Sequence, residues 1–172
     1  QSSYINFVVS LSIIDTIDHY IPSKNYIKWP NDILSAQKKI SGILIENNIK
    51  GDKLNNSIIG IGINVNQTVF RGITNATSIK SIIGKEIRLE EILDKLIKNI
   101  GYYLKILIAR DFDSIMSLYN SRLYGKDYCK FLLNNKTFEG RVLNVNNTGS
   151  INVKINSMEA KEYQSNRIKI LF

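Results

Sequence analysis

Apolar residues recur at helical spacing near the start of the chain. Phe7, Leu11, Ile14 and Ile17 follow one another at intervals of three or four residues, and polar side chains fall largely on other faces. Pro22 comes next, and proline disfavours continuation of a helix. The pattern therefore predicts an amphipathic helix that ends near Pro22.

A longer apolar stripe lies in the middle of the chain. It begins at Leu89 and continues at helical spacing to Leu107, which predicts a helix whose wide apolar face packs on a sheet. Asp113 stands where a side-chain oxygen could cap a further helix, which the pattern extends to about Leu123.

Strand patterns lie between these helices. Tyr26–Trp29, Ile40–Glu46 and Ser57–Val65 are short, apolar and rich in β-branched residues. The polar stretch Asn47–Asn56, which contains Gly51, predicts a loop between the second and third of them.

Beyond Gly125 the helical periodicity gives way to short alternating segments separated by turns such as Asn134-Asn135. Closely spaced strands of this kind are typical of a small barrel. The five predicted strands are Tyr128–Leu133, Thr137–Val145, Ser150–Ile155, Ala160–Gln164 and Arg167–Phe172. We therefore expect an α/β (α+β) fold, with a mixed sheet and packed helices in residues 1–124 and a small β-barrel in residues 125–172.

Composition excludes several classes of protein. The net charge of +8 is spread over scattered lysines, so it predicts no nucleic-acid interface in this stretch. A single cysteine, Cys129, and a single histidine, His19, exclude an internal disulfide framework and a Cys/His zinc cluster. The lack of disulfides is typical of a reducing compartment, so we expect a cytoplasmic protein. No apolar run reaches the ~20 residues that span a bilayer.

The third predicted strand has two unlike faces. Side chains alternate along a strand, so Ile59 to Val65 place β-branched residues on one face, while Gly60, Gly62 and Asn64 lie on the other. Two glycines weaken a strand, and close approach of a ligand or tight packing of a helix would each account for them. The alternation alone does not separate these explanations.

Two further segments carry polar groups at strand ends. Lys28–Asp32, with the sequence Lys-Trp-Pro-Asn-Asp, delivers an amide and a carboxylate after a strand, either as an ordinary Asx turn with Trp29 in the core or as part of a site. Lys38 and Lys39 precede the next strand, either as a solvated pair or as a point charge for a carboxylate or phosphate.

In order and spacing, three motifs together resemble the catalytic domain of the biotin protein ligases. They are Lys-Trp-Pro-Asn-Asp at 28–32, Lys-Lys-Ile-Ser-Gly-Ile-Leu-Ile-Glu at 38–46 and Ile-Gly-Ile-Gly-Ile-Asn-Val-Asn at 59–66. Ala76–Ile79 and the long helix are similar to that family too, and the final barrel resembles its SH3-like domain. The resemblance covers nearly all of the chain.

The resemblance implies a two-step ligase. ATP, with Mg²⁺, and biotin would give biotinyl-5′-adenylate and pyrophosphate, and a lysine of a biotin carboxyl carrier domain would then attack the adenylate. It also implies a protein partner of that kind and a homodimer. A lipoate ligase-like enzyme and a non-catalytic sensor of biotin or biotinyl-adenylate are the alternatives.

The resemblance also assigns substrate-binding residues. Lys39 would lie beside the biotin carboxylate and the α-phosphate, where its charge would favour the meeting of two anions. Gly42, Gly60 and Gly62 would let biotin lie on backbone. Asn64 would contact the adenosine part.

The neighbouring motif contributes to the nucleotide side. Asn31 and Asp32 would line it, and Asp32 would act in catalysis by helping to hold Mg²⁺ or the incoming lysine. Lys28 is a further candidate for the same anionic region.

The chain departs from the family pattern at two places. The Gly/Arg-rich loop that closes over biotin and phosphates in the family lies upstream of the first helix, so we expect this chain to be a fragment that is inactive alone. Ser165–Arg167 stands where the family often has a Gly-Glu pair before its last strand, which weakens the expectation of an adenylate contact from the barrel.

Overall fold

The first sheet contains four strands that pair antiparallel in chain order. The computed structural model describes residues 2–22, 25–51, 53–156 and 159–172. The strands are β1 (Asn25–Lys28), β2 (Asp32–Ser35), β3 (Lys38–Lys50) and β4 (Lys53–Ile63). Parallel pairing among the described residues is limited to two isolated bridges, Ile27 with Leu123 and Lys39 with Ala76.

The β3–β4 hairpin is longer than the sequence predicted. Both strands continue through the polar stretch and meet near Gly51, whose φ of 62° suits the turn. The prediction of a loop at Asn47–Asn56 is therefore wrong. Cross-strand pairing holds these polar residues in strands, although their own preference for strand structure is weak. The short strand β2 was not predicted, since four residues carry too little alternation.

One helix forms the centre of the first unit. The helices are α1 (Ser2–Asp18), α2 (Ile79–Ile83), α3 (Leu89–Ile108) and α4 (Phe112–Ser121). Helix α1 packs on β1, β2 and β3 on one side and on α3 and α4 on the other. It is therefore buried nearly all round, and the prediction of an amphipathic helix is wrong.

The small polar residues of α1 are compatible with this burial. Ser12 and Thr16 are fully buried, and their hydroxyls donate to the carbonyls of Val8 and Ser12 at 2.7 Å. A hydroxyl that bonds to its own helix satisfies its polar atom without water. These residues therefore line a buried surface instead of marking a solvent face.

Helix α3 packs on helices and not on the sheet. Its principal contacts are with α1 and α4, so the predicted sheet contact is wrong, because α1 already covers that face. Ile92, Leu96 and Tyr103 are buried, whereas Leu93 and Ile97 on the same wide stripe are exposed. The helix that follows is capped by Asp111, whose carboxylate accepts from the Ser114 backbone N–H at 3.1 Å, and not by Asp113 as predicted.

The second sheet contains five antiparallel strands in the order β8-β7-β6-β5-β9. They are β5 (Cys129–Leu133), β6 (Lys136–Val145), β7 (Ile151–Ile155), β8 (Lys161–Tyr163) and β9 (Ile168–Leu171). Asn134 and Asn135 form the first turn with positive φ values of 50° and 59°, as asparagine tolerates. The predicted α+β class, with packed helices and a small SH3-like second sheet, is confirmed, while the division into domains at residues 124 and 125 stays a prediction.

Directed hydrogen bonds join the two parts of the chain. The buried Trp29 indole donates to the Gly149 carbonyl at 2.9 Å. Asn120 donates to the Val145 carbonyl at 3.0 Å and accepts from the Val145 N–H at 2.7 Å. The second sheet is thereby held against the β1–β2 turn and against α4. In the part of the chain that the structure describes, no helix has the length and apolar character needed to cross a membrane.

Candidate functional site

An open cleft of about 490 Å³ lies on the face of the first sheet opposite α1. It brings together most of the residues that the sequence singled out. Its polar and glycine lining consists of Asn31, Asp32, Lys39, Gly42, Gly60 and Gly62. Lys28 and Asn64 are not among its lining residues.

A β-bulge turns Lys39 into this cleft. Ile33 pairs with Ser41 and the next residue, Leu34, pairs with Lys39, so Ile40 is the extra residue on β3. Ile40 and Ser41 are consequently both buried, although regular alternation would bury only one of them. Without the bulge, Lys39 would share the buried face of Ser41; with it, Lys39 lies on the open face of the sheet.

Asp32 links two lysines at the edge of the cleft. Its Oδ1 lies 2.5 Å from Lys39 Nζ and its Oδ2 lies 3.1 Å from Lys28 Nζ. Lys28 and Asp32 are largely buried, whereas the Lys39 side chain is half-exposed towards the cleft. This charge cluster, Lys28–Asp32–Lys39, carries a net positive charge, and its accessible end is Lys39.

The glycines leave the sheet face bare. A Cβ at Gly42 would lie 3.1 Å from Lys39 Nζ, so this glycine gives the lysine room to reach Asp32. A Cβ at Gly60 would meet nothing nearer than Leu44 at 3.7 Å, and one at Gly62 nothing nearer than the Gly42 carbonyl at 4.0 Å. Within the described residues no helix packs on these glycines, so tight packing does not account for them.

The two asparagines already serve the fold. Asn31 Nδ2 donates to the Ile43 carbonyl at 2.9 Å and fixes the turn against β3. Asn64, just beyond β4, donates to the Thr77 carbonyl at 3.0 Å and holds the loop before α2. Each amide can still offer its oxygen to a ligand, because an amide has separate donor and acceptor groups.

Two backbone hydrogen bonds that hold Lys39 in place were not predicted from the sequence. The Lys39 N–H donates to the Asn75 carbonyl at 2.8 Å, and the Thr77 N–H donates to the Lys39 carbonyl at 2.9 Å. A strand-like segment at 75–77 therefore fixes the backbone from which Lys39 projects. The only signal in the sequence was the resemblance of Ala76–Ile79 to the ligase family.

The surroundings of Asp32 do not suit it as a metal ligand. Both oxygens of Asp32 are paired with ammonium groups, and the described residues contain no group of three or more His, Cys, Asp and Glu side chains that could hold a metal ion. The expected Mg²⁺ role of Asp32 is therefore not supported by the geometry. Burial raises the pKa of Cys129 to about 12, so this thiol is not an activated nucleophile.

Comparisons with known proteins find a family and solved structures that this chain resembles. A sequence profile of the biotin/lipoate A/B protein ligase family matches residues 1–64, the stretch that holds the charge cluster and the cleft. The biotin protein ligase of Aquifex aeolicus, solved in complex with biotin and ATP, superposes with a TM-score of 0.79 and 28% identity, covering 98% of this chain and 71% of that one. The chain is thus similar to the biotin/lipoate A/B protein ligase family over its first 64 residues and to a solved biotin protein ligase over nearly all of its length.

Curated relatives that this chain resembles are ligases by name. The bifunctional ligase/repressor BirA of Bacillus subtilis is 27% identical over 96% of this chain and 52% of its own length. The biotin–[acetyl-CoA-carboxylase] ligase of Paracoccus denitrificans is 30% identical over 55% of this chain and 42% of its own length. The chain thus spans about half the length of the curated relatives it matches.

Proposed function

We propose that the protein carrying this chain activates biotin with ATP and transfers it to a lysine of a biotin carboxyl carrier domain. The observation that carries the proposal is the bare glycine floor of the cleft with a lysine ammonium held at its rim. A flat, uncharged ring system can lie on exposed backbone, while a carboxylate at the end of its chain needs a cation. The Aquifex aeolicus ligase, which the chain resembles over 98% of its length, is named as a complex with biotin and ATP.

The proposed reaction consists of two nucleophilic substitution steps. A carboxylate oxygen of biotin attacks the α-phosphorus of ATP, the bond to the β-phosphate breaks, and pyrophosphate leaves with the electron pair. The neutral amine of the acceptor lysine then attacks the acyl carbon, the bond to the AMP oxygen breaks, and the amine loses a proton. Both steps bring together groups that repel or must be held in line, so positioning and electrostatic stabilisation supply the catalysis.

Lys39 is the proposed catalytic residue. Its ammonium would contact the biotin carboxylate and the α-phosphate, and would offset the negative charge that accumulates as the two anions approach. Asp32 is proposed to hold Lys39 in place and to form the nearest carboxylate to the incoming acceptor lysine. Lys28, which is buried beside Asp32, is proposed to add positive potential on the nucleotide side.

Substrate positioning falls to the neighbouring backbone. Gly42, Gly60 and Gly62 are proposed to support biotin, because side chains there would occupy the cleft. Asn31 and Asn64 are proposed to offer amide oxygens to the nucleotide. Mg²⁺ is expected to accompany the phosphates of ATP, as it commonly does, and not to be bound by Asp32.

The choice between biotin and lipoate is tested by the acid that drives exchange. Biotin, but not lipoate, should support incorporation of labelled pyrophosphate into ATP, since the motifs and the ligases of Paracoccus denitrificans and Aquifex aeolicus point to biotin. Exchange driven only by lipoate would assign the alternative ligase. Tight binding of biotin without exchange, in protein of confirmed fold, would assign a sensor instead.

The Gly/Arg-rich loop expected upstream gives a second test. Among the described residues that line the cleft, Lys39 is the one cation, so further positive charge is needed for a triphosphate. Residues 1–172 incubated with biotin, ATP, Mg²⁺ and a carrier domain should give no labelling, and a Gly/Arg-rich segment from a longer natural form should restore it. Labelling by residues 1–172 alone would refute this part of the proposal.

Homodimer formation is proposed on the family resemblance alone. Sedimentation of the protein with and without biotin and ATP would measure it. A monomer under both conditions would contradict it.

A further inference from the structure

A residue of the second sheet contacts the charge cluster directly. Phe172 follows β9, and its ring centroid lies 4.4 Å from Lys28 Nζ. Its carbonyl accepts a hydrogen bond from Asn75 Nδ2 at 3.0 Å. One contact reaches β1 and the other reaches the segment between β4 and α2, and all three residues line a cleft of about 520 Å³.

Both contacts lead to Lys39. Lys28 is paired with Asp32 Oδ2, and Asp32 Oδ1 is paired with Lys39. Independently, the carbonyl of Asn75 accepts from the backbone N–H of Lys39 at 2.8 Å. Phe172 is thus joined to the side chain of Lys39 through two ion pairs and to its backbone through one residue.

The low solvent exposure of Lys28 strengthens its contact with the aromatic ring. The side chain of Lys28 is 13% exposed and that of Asp32 is 14% exposed, whereas that of Lys39 is 44% exposed. The attraction of an ammonium to an aromatic face grows when the ammonium is desolvated. The ring therefore acts on the buried lysine, while the exposed lysine remains free to meet a substrate.

We propose that Phe172 is a positioning residue for Lys39, acting through Lys28 and Asp32. The ring keeps Lys28 on Oδ2, so Asp32 presents only Oδ1 to Lys39. Without the ring, Lys28 no longer contacts Oδ2 of Asp32. The carboxylate then rotates so that both of its oxygens contact the Lys39 ammonium, which moves away from the cleft. The second sheet would in this way set how much of the Lys39 charge is available to biotin and ATP, an inference that rests on the proposed function.

The test compares variants with and without an aromatic ring. Phe172→Leu should lower kcat for biotin-dependent pyrophosphate exchange about tenfold, which corresponds to about 1.4 kcal/mol, while Phe172→Tyr should retain the wild-type value. Tyr163→Leu is the matched control, because its ring lies 5.9 Å from Lys161 Nζ on the second sheet and is not joined to the cluster; its kcat should stay unchanged. Equal kcat for Phe172→Leu and wild type would overturn the proposal.

A second measurement needs no enzymatic activity. Competitive acetylation of lysines with trace acetic anhydride, quantified by mass spectrometry across pH, reports how tightly each amine is paired. Phe172→Leu should slow acetylation of Lys39 about threefold and speed that of Lys28, since a tighter ion pair favours the charged, unreactive form. If wild-type protein that includes the Gly/Arg-rich segment shows no exchange with any acid, the proposed function fails. The acetylation still tests the positioning role of Phe172 in that case, because unchanged rates at both lysines would refute it.

Discussion

The bare glycine face makes Gly60→Val a decisive substitution. The position lies on β4 with its side-chain direction towards the cleft, and an added Cβ would sit 3.7 Å from Leu44, an ordinary van der Waals distance. Valine also suits a strand better than glycine, on a scale that spans ~1 kcal/mol. The free energy of unfolding should therefore stay the same or rise by up to about 1 kcal/mol.

Ligand binding should respond in the opposite direction. The valine methyl groups would occupy the floor of the cleft on which biotin is proposed to lie. Forcing a ligand against extra methyl groups costs roughly 1–3 kcal/mol, by analogy with overpacked cores. Because about 1.4 kcal/mol is a tenfold change in affinity, biotin should bind roughly five- to 150-fold more weakly.

Calorimetric titration with biotin and thermal unfolding of the same samples measure both quantities. Asn56→Val is the matched control, since it adds the same side chain to the same face of β4 at an exposed position outside the cleft lining. It should leave biotin affinity within about twofold, which is ~0.4 kcal/mol. A collapse in stability of Gly60→Val, with the remaining folded protein binding biotin normally, would show that Gly60 serves packing and not ligand binding.

Three further outcomes follow from the structure. Lys39→Ala should slow adenylate formation at least tenfold, since a charge-assisted contact is worth ~1.5–3 kcal/mol, whereas Lys38→Ala, at an exposed neighbour, should exchange pyrophosphate normally; equal rates in the two variants would remove Lys39 from its proposed role. Asp111→Ala should lower the free energy of unfolding through loss of the α4 cap, and Asp113→Ala should lower it less, as urea melts would show. The reverse order would contradict the cap assignment. Burial raises the pKa of Cys129 to about 12, so the native thiol should resist iodoacetamide at pH 8 and react after unfolding. The stability gained by burying the neutral thiol should be lost as the pH rises above the ordinary thiol pKa towards 12, because the unfolded thiol ionises first. Rapid alkylation of the native protein at pH 8 would show that the thiol is accessible.

Much of the local structure could be predicted from the sequence. The bounds of α3, the turn at Asn134 and Asn135 and the two faces of β4 all depend on side-chain spacing and backbone preferences within a few residues. The glycine face was predicted for the same reason, because alternation along a strand is local. The family resemblance then joined three separate motifs into one candidate site.

The sequence did not show which elements pack beside those motifs in the fold. Spacing could not show whether Gly60 faces a helix or a ligand, since that depends on which elements pack nearby; in the structure α1 takes the opposite face and the glycine side stays open. It also could not show that α1 is buried all round, because small hydroxyl side chains bond to their own helix and cease to mark a solvent face.

The position of the Lys39 side chain depends on how separate strands and the two sheets meet. The bulge at Ile40 is a mismatch between two strands, so it exists only once β2 and β3 pair. The approach of Lys28 and Lys39 to one carboxylate requires the same pairing, and the contact of Phe172 with Lys28 requires the second sheet to dock on the first. Local spacing determines which face a side chain takes on its own element, whereas a charge cluster forms where several elements meet, and Coulomb attraction at a few ångströms depends on that meeting.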